Sequence, residues 1–168
     1  MDWSIKQGDI LDTKADAIIV SANVQLNMSG GVGGAILVRY GDEMQKELHK
    51  YLADRGRSFA QRGDVVKTSP CGTPFQTVIH AVAIDVLYVT THEVLVETIR
   101  KSLALCAEDG AKSVLLTALG TGYGQFPLDE FADVIGELLI DEFPPIEKVT
   151  IVLRNKYDAE ELRDALLG

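Results

Sequence analysis

A chain of 168 residues that is 46% hydrophobic and 24% charged has the size and composition of one globular domain, so we expect a single domain over residues 1–168. Its 16 Lys and Arg against 25 Asp and Glu give a net charge of −9, which disfavours binding to nucleic acid. An anionic ligand stays possible, because backbone N–H groups at a helix N-terminus bind phosphate without any cation.

Six strands are predicted by short apolar segments rich in β-branched residues. Four of these are continuous apolar runs typical of buried strands, and two alternate in a way that suits the edge of a sheet. In chain order the segments are 3–5, 17–20, 65–68, 77–82, 113–116 and 149–153, and the first and third are the edge candidates.

Four helical patterns are predicted between and after these strands. They are one helix from Ile36 to Leu52, a second from Leu95 to Cys106 closing at Gly110, a third from Pro127 to about Glu142, and a last helix with Asp158 as N-cap that buries Leu162, Ala165 and Leu166. Strands that alternate with helices predict a mainly parallel sheet covered on both faces. In such a sheet, ligands bind outside the carboxyl ends of the strands.

The first glycine-rich segment follows the strand at 17–20 and leads into a helix. It runs from Asn23 to Gly34, and four of its last five residues are glycine. Glycine lets backbone N–H groups approach a ligand closely, and the head of a helix favours phosphate. The spacing is neither that of a P-loop nor that of the dinucleotide fingerprint. A turn that only packs helix against strand stays an alternative.

His80 lies inside the apolar strand at 77–82, with no acidic or cysteine partner at a telling interval. We therefore interpret it as a core histidine with a satisfied hydrogen bond rather than as a catalytic group.

The second glycine-rich segment, Gly120 to Pro127, again follows a strand and opens a helix. Two such loops that face one crevice could bind the two phosphates of a diphosphate from opposite sides. Their equivalent places after parallel strands make this hypothesis stronger than either loop alone.

The cysteines and the apolar runs indicate neither a metal site nor a membrane segment. Cys71 and Cys106 are far apart and have no metal or redox spacing. The N-terminus has no apolar signal core, and no run approaches the roughly 18 apolar residues of a membrane span. We expect a soluble cytoplasmic protein without metal or cofactor.

These segments together resemble the macrodomain family in order and spacing, from about Trp3 to Leu166. The matching pieces are Gly8–Ile10, Ala15–Asn23, Gly30–Ile36, Val78–Val82, Gly120–Gly122 and Phe126–Pro127. The resemblance implies a three-layer α/β/α fold with a mixed, mainly parallel sheet of about six strands. It also implies a site for ADP-ribose or an ADP-ribosylated protein.

The resemblance assigns a role to each matching position. Asp9 would accept a hydrogen bond from the adenine amino group beside the backbone of Ile10, and Asn23 would contact the distal ribose. The first phosphate loop would comprise Gly30, Gly31 and Val32, and the second Gly120, Thr121, Gly122, Tyr123 and Gly124. Phe126 would pack near the distal ribose, and Arg154 would stack on adenine where the family often has an aromatic residue. From the residues alone, Asp9 could equally be a turn residue, Asn23 a strand-end cap and Phe126 part of the core.

Departures from the family pattern bear on activity. Many hydrolytic members have Asn-Ala-Ala-Asn where this chain has Val20 to Asn23, and many have Asp at the place of Gly33, although viral members often have Ala there. Gly124-Gln125 replaces a more usual aromatic–Gly pair. No carboxylate is evident in either glycine loop to serve as the general base that water attack on the distal ribose normally needs.

Two hypotheses from different classes follow. In the first, the protein is a binding module that reads ADP-ribosyl groups. In the second, it is a slow hydrolase of mono-ADP-ribosyl groups or of O-acetyl-ADP-ribose, with Asn23 orienting the water. A third reading, a module for other nucleotides or single-stranded RNA, is disfavoured by the charge and by the few aromatic residues near the loops.

Overall fold

A computed structural model describes residues 1–167 as one six-stranded sheet with helices on both faces. The strands are β1 (Asp2–Gln7), β2 (Ala17–Ala22), β3 (Val65–Thr68), β4 (Thr77–Val82), β5 (Ser113–Leu116) and β6 (Lys148–Leu153). The helices are α1 (Gly31–Tyr40), α2 (Glu43–Asp54), α3 (His92–Glu108), α4 (Leu128–Leu138) and α5 (Lys156–Leu167), and a short 3-10 turn covers Ile10–Asp12. All six predicted strands are therefore confirmed, and the sheet is the predicted α/β type.

The order of strands across the sheet is β1-β6-β5-β2-β4-β3, so the two predicted edge strands do lie at the edges. Every neighbouring pair is parallel except β3 with β4, which is antiparallel. The four inner strands thus end at one edge of the sheet, where their following loops meet.

Alternating side chains of the inner strands feed two separate cores, one on each face. Ile19 packs with residues of α3, α4 and α5, whereas its neighbours Ile18 and Val20 pack with residues of α1 and α2. This alternation follows from the two-residue period of a strand, and it produces the expected three layers. None of the helices within residues 1–167 has the length and apolar character needed to cross a membrane.

The prediction of one helix from Ile36 to Leu52 is wrong, because the chain forms α1 and α2 with a break between them. Gly41 ends α1 in a left-handed conformation at φ 88° and donates its N–H to Leu37. A helix-closing glycine of this kind lets the chain change direction at little steric cost. The apolar spacing continues across the break, which is why periodicity alone did not detect it.

The ends of two other helices differ from the predictions. Helix α4 ends at Leu138 rather than about Glu142, so Pro144-Pro145 lies beyond a short turn. Helix α5 begins two residues before Asp158, because Asn155 accepts hydrogen bonds from the N–H groups of Tyr157 and Asp158 at 2.8 and 3.4 Å. Leu162 is buried as predicted, but Ala159 is the second buried residue, whereas Ala165 is exposed and Leu166 half-buried.

Candidate functional site

A cleft of about 510 Å³ lies at the carboxyl ends of the four inner strands. Its walls include Arg154 after β6, Thr117 after β5, Asn23 after β2 and Ile84 after β4. Because these strands are neighbours in that order, the cleft crosses three inter-strand spacings of about 4.8 Å, or roughly 14 Å. The volume is that of a small-molecule site, and the shape suits an elongated ligand.

The first glycine loop forms one wall and ends in the N-terminus of α1. Gly30 precedes the helix at φ 74°, and no side chain caps it. The N–H of Gly34 bonds to the carbonyl of Gly30 at 2.9 Å, so the N–H groups of Gly31, Val32 and Gly33 have no intrahelical acceptor. These donors and the positive end of the helix dipole form a ready site for an anion.

Side chains hold the start of this loop firmly. The Asn23 amide donates to the carbonyl of Asn27 at 3.0 Å and accepts from the N–H of the same residue at 3.0 Å. From α2, Gln45 donates to the Leu26 carbonyl at 2.7 Å and accepts from the Met28 N–H at 2.6 Å. The loop therefore has a fixed shape before any ligand arrives, and Asn23 contributes to that shape.

The second glycine loop faces the first from the end of β5. The Phe126 N–H bonds to the Gly120 carbonyl at 2.9 Å, and the Gln125 N–H bonds to the Gly122 carbonyl at 3.0 Å. Within residues 1–167, the N–H groups of Gly122, Tyr123 and Gly124 have no acceptor. Both glycine loops thus contribute residues with unsatisfied N–H groups to the lining of the same cleft.

The glycines of the second loop have different surroundings. A Cβ added at Gly124 would lie 2.5 Å from the Gly120 carbonyl oxygen and 2.8 Å from Cγ2 of Ile84, so this glycine is required by packing. A Cβ added at Gly122 would have nothing within 4 Å. Packing within the protein therefore gives no reason for glycine at 122, and Gly122 itself lines the cleft.

Two tyrosines close the cleft at the β4 end. The Tyr123 ring is tilted by 37° to the Tyr88 ring, with centroids 6.4 Å apart. A Cβ added at Gly30 would lie 3.0 Å from the Tyr123 hydroxyl, so Tyr123 reaches across from the second loop to the first. Both rings are more than half exposed, so they can move without disturbing the core.

Asp9 and Arg154 lie at the β6 end. Arg154 is exposed and lines the cleft, as stacking on a base would require. Asp9 accepts a hydrogen bond from the Leu11 N–H at 2.9 Å and lies 3.5 Å from the Arg39 guanidinium. It begins the 3-10 turn and stands outside the lining of the cleft, as does Ile10, which is buried.

The structure brings ten of the thirteen predicted ligand residues into the lining of one cleft. They are Asn23, Gly30, Gly31, Val32, Gly120, Thr121, Gly122, Tyr123, Gly124 and Arg154. The three that do not line it are Asp9, Ile10 and Phe126, and the last of these packs half-buried against the core beneath the second loop.

Sequence reasoning missed Ile84 and Tyr88, which line the cleft from the segment after β4. These two residues could have been found from the order of strands in the sheet. Once β4 is a parallel neighbour of β2, the residues that follow it must lie at the same edge of the sheet as the first glycine loop. A further signal is the backbone of Tyr88, which has a φ of 62°, but it is visible only in the structure.

Ionisable groups are scarce around the cleft. None of the described residues that line it is Asp or Glu. The lining includes one cationic side chain, Arg154, and one imidazole, His80. His80 is 2% exposed, and its Nε2 lies 3.0 Å from the Thr68 hydroxyl. Burial lowers the pKa of His80 to about 4, although the charge of Glu47 opposes this. His80 is therefore a neutral, hydrogen-bonded core residue at neutral pH, as predicted.

Comparison with known proteins gives a consistent result. The family model described as Macro domain matches residues 19–135. An uncharacterized protein of Mycobacterium bovis is 32% identical over 132 residues, which cover 79% of this chain and 35% of that protein. The chain thus spans about a third of the length of the mycobacterial relatives that it matches.

Two solved structures extend the likeness to the fold. A mutant macrodomain from Oceanobacillus iheyensis with ADPR has a TM-score of 0.85 and 25% identity, over 97% of this chain and 90% of that one. A Trypanosoma brucei macrodomain in complex with ADP-ribose has a TM-score of 0.83 and 20% identity, over 99% of this chain and 69% of that one. At the latter identity the likeness shows the fold alone.

Proposed function

This chain belongs to the macrodomain family, and from that premise we propose that its cleft binds the ADP-ribosyl group, as free ADP-ribose or attached to a protein. The observation that carries the proposal is the pair of glycine loops after β2 and β5, whose unsatisfied N–H groups face one cleft. A diphosphate needs donors on both sides and tolerates few side chains nearby, and these loops supply both conditions. The O. iheyensis macrodomain mutant with ADPR supports the same ligand.

The strand order suggests the direction of the ligand. With the diphosphate between β5 and β2, one nucleoside would extend towards β6 and β1, and the other sugar towards β4. Arg154 follows β6, and Asp9 follows β1, so adenine would lie at that end. The distal ribose would then lie towards Asn23, Ile84 and Tyr88.

The lining of the cleft favours a binding module over a hydrolase. No Asp or Glu lines it within residues 1–167, and His80 is a weak base, because burial lowers its pKa to about 4 and its Nε2 is already bonded to Thr68. Both the NH₂ and the oxygen of the Asn23 amide are hydrogen-bonded to the Asn27 backbone, so this side chain stabilises the loop. Water attack on the distal ribose would thus have no carboxylate and only a weakly basic imidazole to serve as general base.

Calorimetry with ADP-ribose and AMP tests the binding proposal. ADP-ribose should bind at least about tenfold more tightly than AMP, because AMP lacks the second phosphate and the distal ribose that the loops would enclose. Equal affinities would rule out the arrangement with two phosphate loops.

A second assay tests the choice between reader and hydrolase. An ADP-ribosylated protein incubated with this chain should keep its label at the rate seen without the chain. Label release that is saturable in the modified protein and lost on blocking the cleft with ADP-ribose would establish the hydrolase instead.

A further inference from the structure

Beside the cleft, four consecutive apolar residues project from the segment that follows β4. This apolar tip consists of Val86, Leu87, Tyr88 and Val89, whose exposed fractions are 63, 76, 55 and 48%. Single exposed apolar residues are common on proteins, but four in a row form a patch that normally has a binding partner.

The backbone of the tip has a fixed shape. The Asp85 carboxylate accepts hydrogen bonds from the N–H groups of Leu87 and Val89 at 2.8 and 3.0 Å. The Asp85 backbone bonds to Val89 and Tyr88 at 3.0 Å each. Arg62 lies 3.7 Å from the same carboxylate and donates to the Val89 carbonyl. An ordered apolar surface loses little conformational entropy on binding.

The tip is continuous with the cleft through one residue. Tyr88 belongs to the tip, lines the cleft and packs near Tyr123 of the second glycine loop. In the proposed direction of the ligand, the distal ribose lies at this β4 end. Whatever is attached to that ribose would leave the cleft over Tyr88 and meet the tip next.

The chemistry of the tip selects among possible occupants. Its side chains carry no positive charge, and the neighbouring Arg62 is held against Asp85, so phosphates of a nucleic acid would find no partner here. Free ADP-ribose would reach Tyr88 but would leave Val86, Leu87 and Val89 of the tip exposed. A polypeptide attached to the ribose would supply apolar side chains at the right place.

We propose that the apolar tip binds the polypeptide that carries the ADP-ribosyl group and favours modification sites flanked by apolar residues. This inference rests on the proposed function and makes the protein a reader of modified sites rather than of the free nucleotide alone. Tyr88 would connect the two parts of the interface.

Two synthetic peptides test the inference, each with one ADP-ribosyl group on the same serine. One has leucine at both flanking positions and the other has serine, and free ADP-ribose serves as the reference. The wild-type protein should bind the leucine-flanked peptide about fivefold more tightly than the serine-flanked one, since each buried apolar group adds a modest gain. The Val86→Ser/Leu87→Ser variant should lose this preference and keep its affinity for free ADP-ribose.

A matched control removes exposed apolar surface elsewhere. Leu139 and Ile140 are exposed just after α4, which ends at the opposite edge of the sheet from the cleft. The Leu139→Ser/Ile140→Ser variant should retain the preference for the leucine-flanked peptide. If this control loses it as well, the preference reflects general hydrophobicity and the inference is wrong.

Other results would distinguish failure of peptide binding at the tip from failure of ADP-ribose binding in the cleft. If the wild type binds free ADP-ribose but binds both peptides equally, the tip has no such role. If sedimentation shows a dimer that the Val86→Ser/Leu87→Ser variant abolishes, a second copy of the chain occupies the tip and the inference is also refuted. If free ADP-ribose does not bind, the proposed function fails first and the inference with it.

Discussion

Replacing Gly122 with Val should weaken ADP-ribose binding at least tenfold while leaving the fold intact. A Cβ at this position would have no atom of the protein within 4 Å, and the backbone is not in the left-handed region. Since Gly122 is exposed and an added Cβ meets no protein atom, the free energy of unfolding should change by no more than about 0.5 kcal/mol. Because Gly122 lines the cleft, we expect the Val side chain to occupy space beside the N–H groups of the second loop, where a phosphate would bind.

The expected loss of affinity is at least tenfold, or about 1.4 kcal/mol, and it should be measured by calorimetry alongside thermal unfolding. Gly124→Ala provides the contrast two residues away. There a single methyl would clash with the Gly120 carbonyl oxygen at 2.5 Å. Overpacking of this kind costs about 1–3 kcal/mol, which should lower the melting temperature by several degrees.

The pair of variants separates two roles for glycine. If Gly122→Val lowers the melting temperature as much as Gly124→Ala does and the folded fraction still binds ADP-ribose, then Gly122 is a packing residue. The assignment of the second loop to phosphate would then be refuted.

Three further predictions concern single side chains. Asp9→Ala should weaken ADP-ribose binding by about 1.5–3 kcal/mol through loss of a charge-assisted hydrogen bond to adenine, measured by calorimetry. Asp9→Asn keeps an acceptor for Leu11 and controls for the 3-10 turn, and unchanged affinity in Asp9→Ala would leave Asp9 as a turn residue only. Arg154→Ala should cost about 0.5–1 kcal/mol of binding if its guanidinium stacks on the base, and it should spare stability because Arg154 is exposed. His80 takes up its proton near pH 4 in the folded state but near pH 6.5 in the unfolded chain, so the free energy of unfolding should fall by about 3 kcal/mol as the pH drops through that window. Urea unfolding of His80→Gln across this range should show a weaker decline, and an identical decline would mean that other groups cause it.

The fold was predictable because its signals are local and repeat along the chain. The strands at Val65–Thr68 and Thr77–Val82 were located to the residue, since buried and edge strands differ in a pattern that needs no tertiary information. Helix boundaries depend on single capping contacts. Gly41 could have been recognised as a stop, whereas the competition between Asn155 and Asp158 for the N-cap of α5 is settled by packing.

The site was predictable where backbone carries the chemistry and less so where side chains do. The two glycine loops were found because glycine after a strand is conspicuous in any sequence. Tyr88 was missed because an aromatic residue in an apolar segment resembles core, and its exposure follows from the turn that Asp85 organises. The hydrogen bonds between the Asn23 side chain and the Asn27 backbone could not be predicted either, because they depend on a loop shape that the sequence does not specify.

The position of the cleft follows from how the chain leaves its two central strands. After β2 the chain turns to the face covered by α1 and α2, and after β5 it turns to the face covered by α3, α4 and α5. Neighbouring parallel strands whose following segments diverge to opposite faces leave a crevice between them, which is where ligands bind in open α/β sheets. Each diverging loop must turn sharply at its strand end, and the glycines that permit this also leave N–H groups unsatisfied. The same geometry that opens the crevice therefore places donors on both of its sides, and the diphosphate of the proposed ligand would use both.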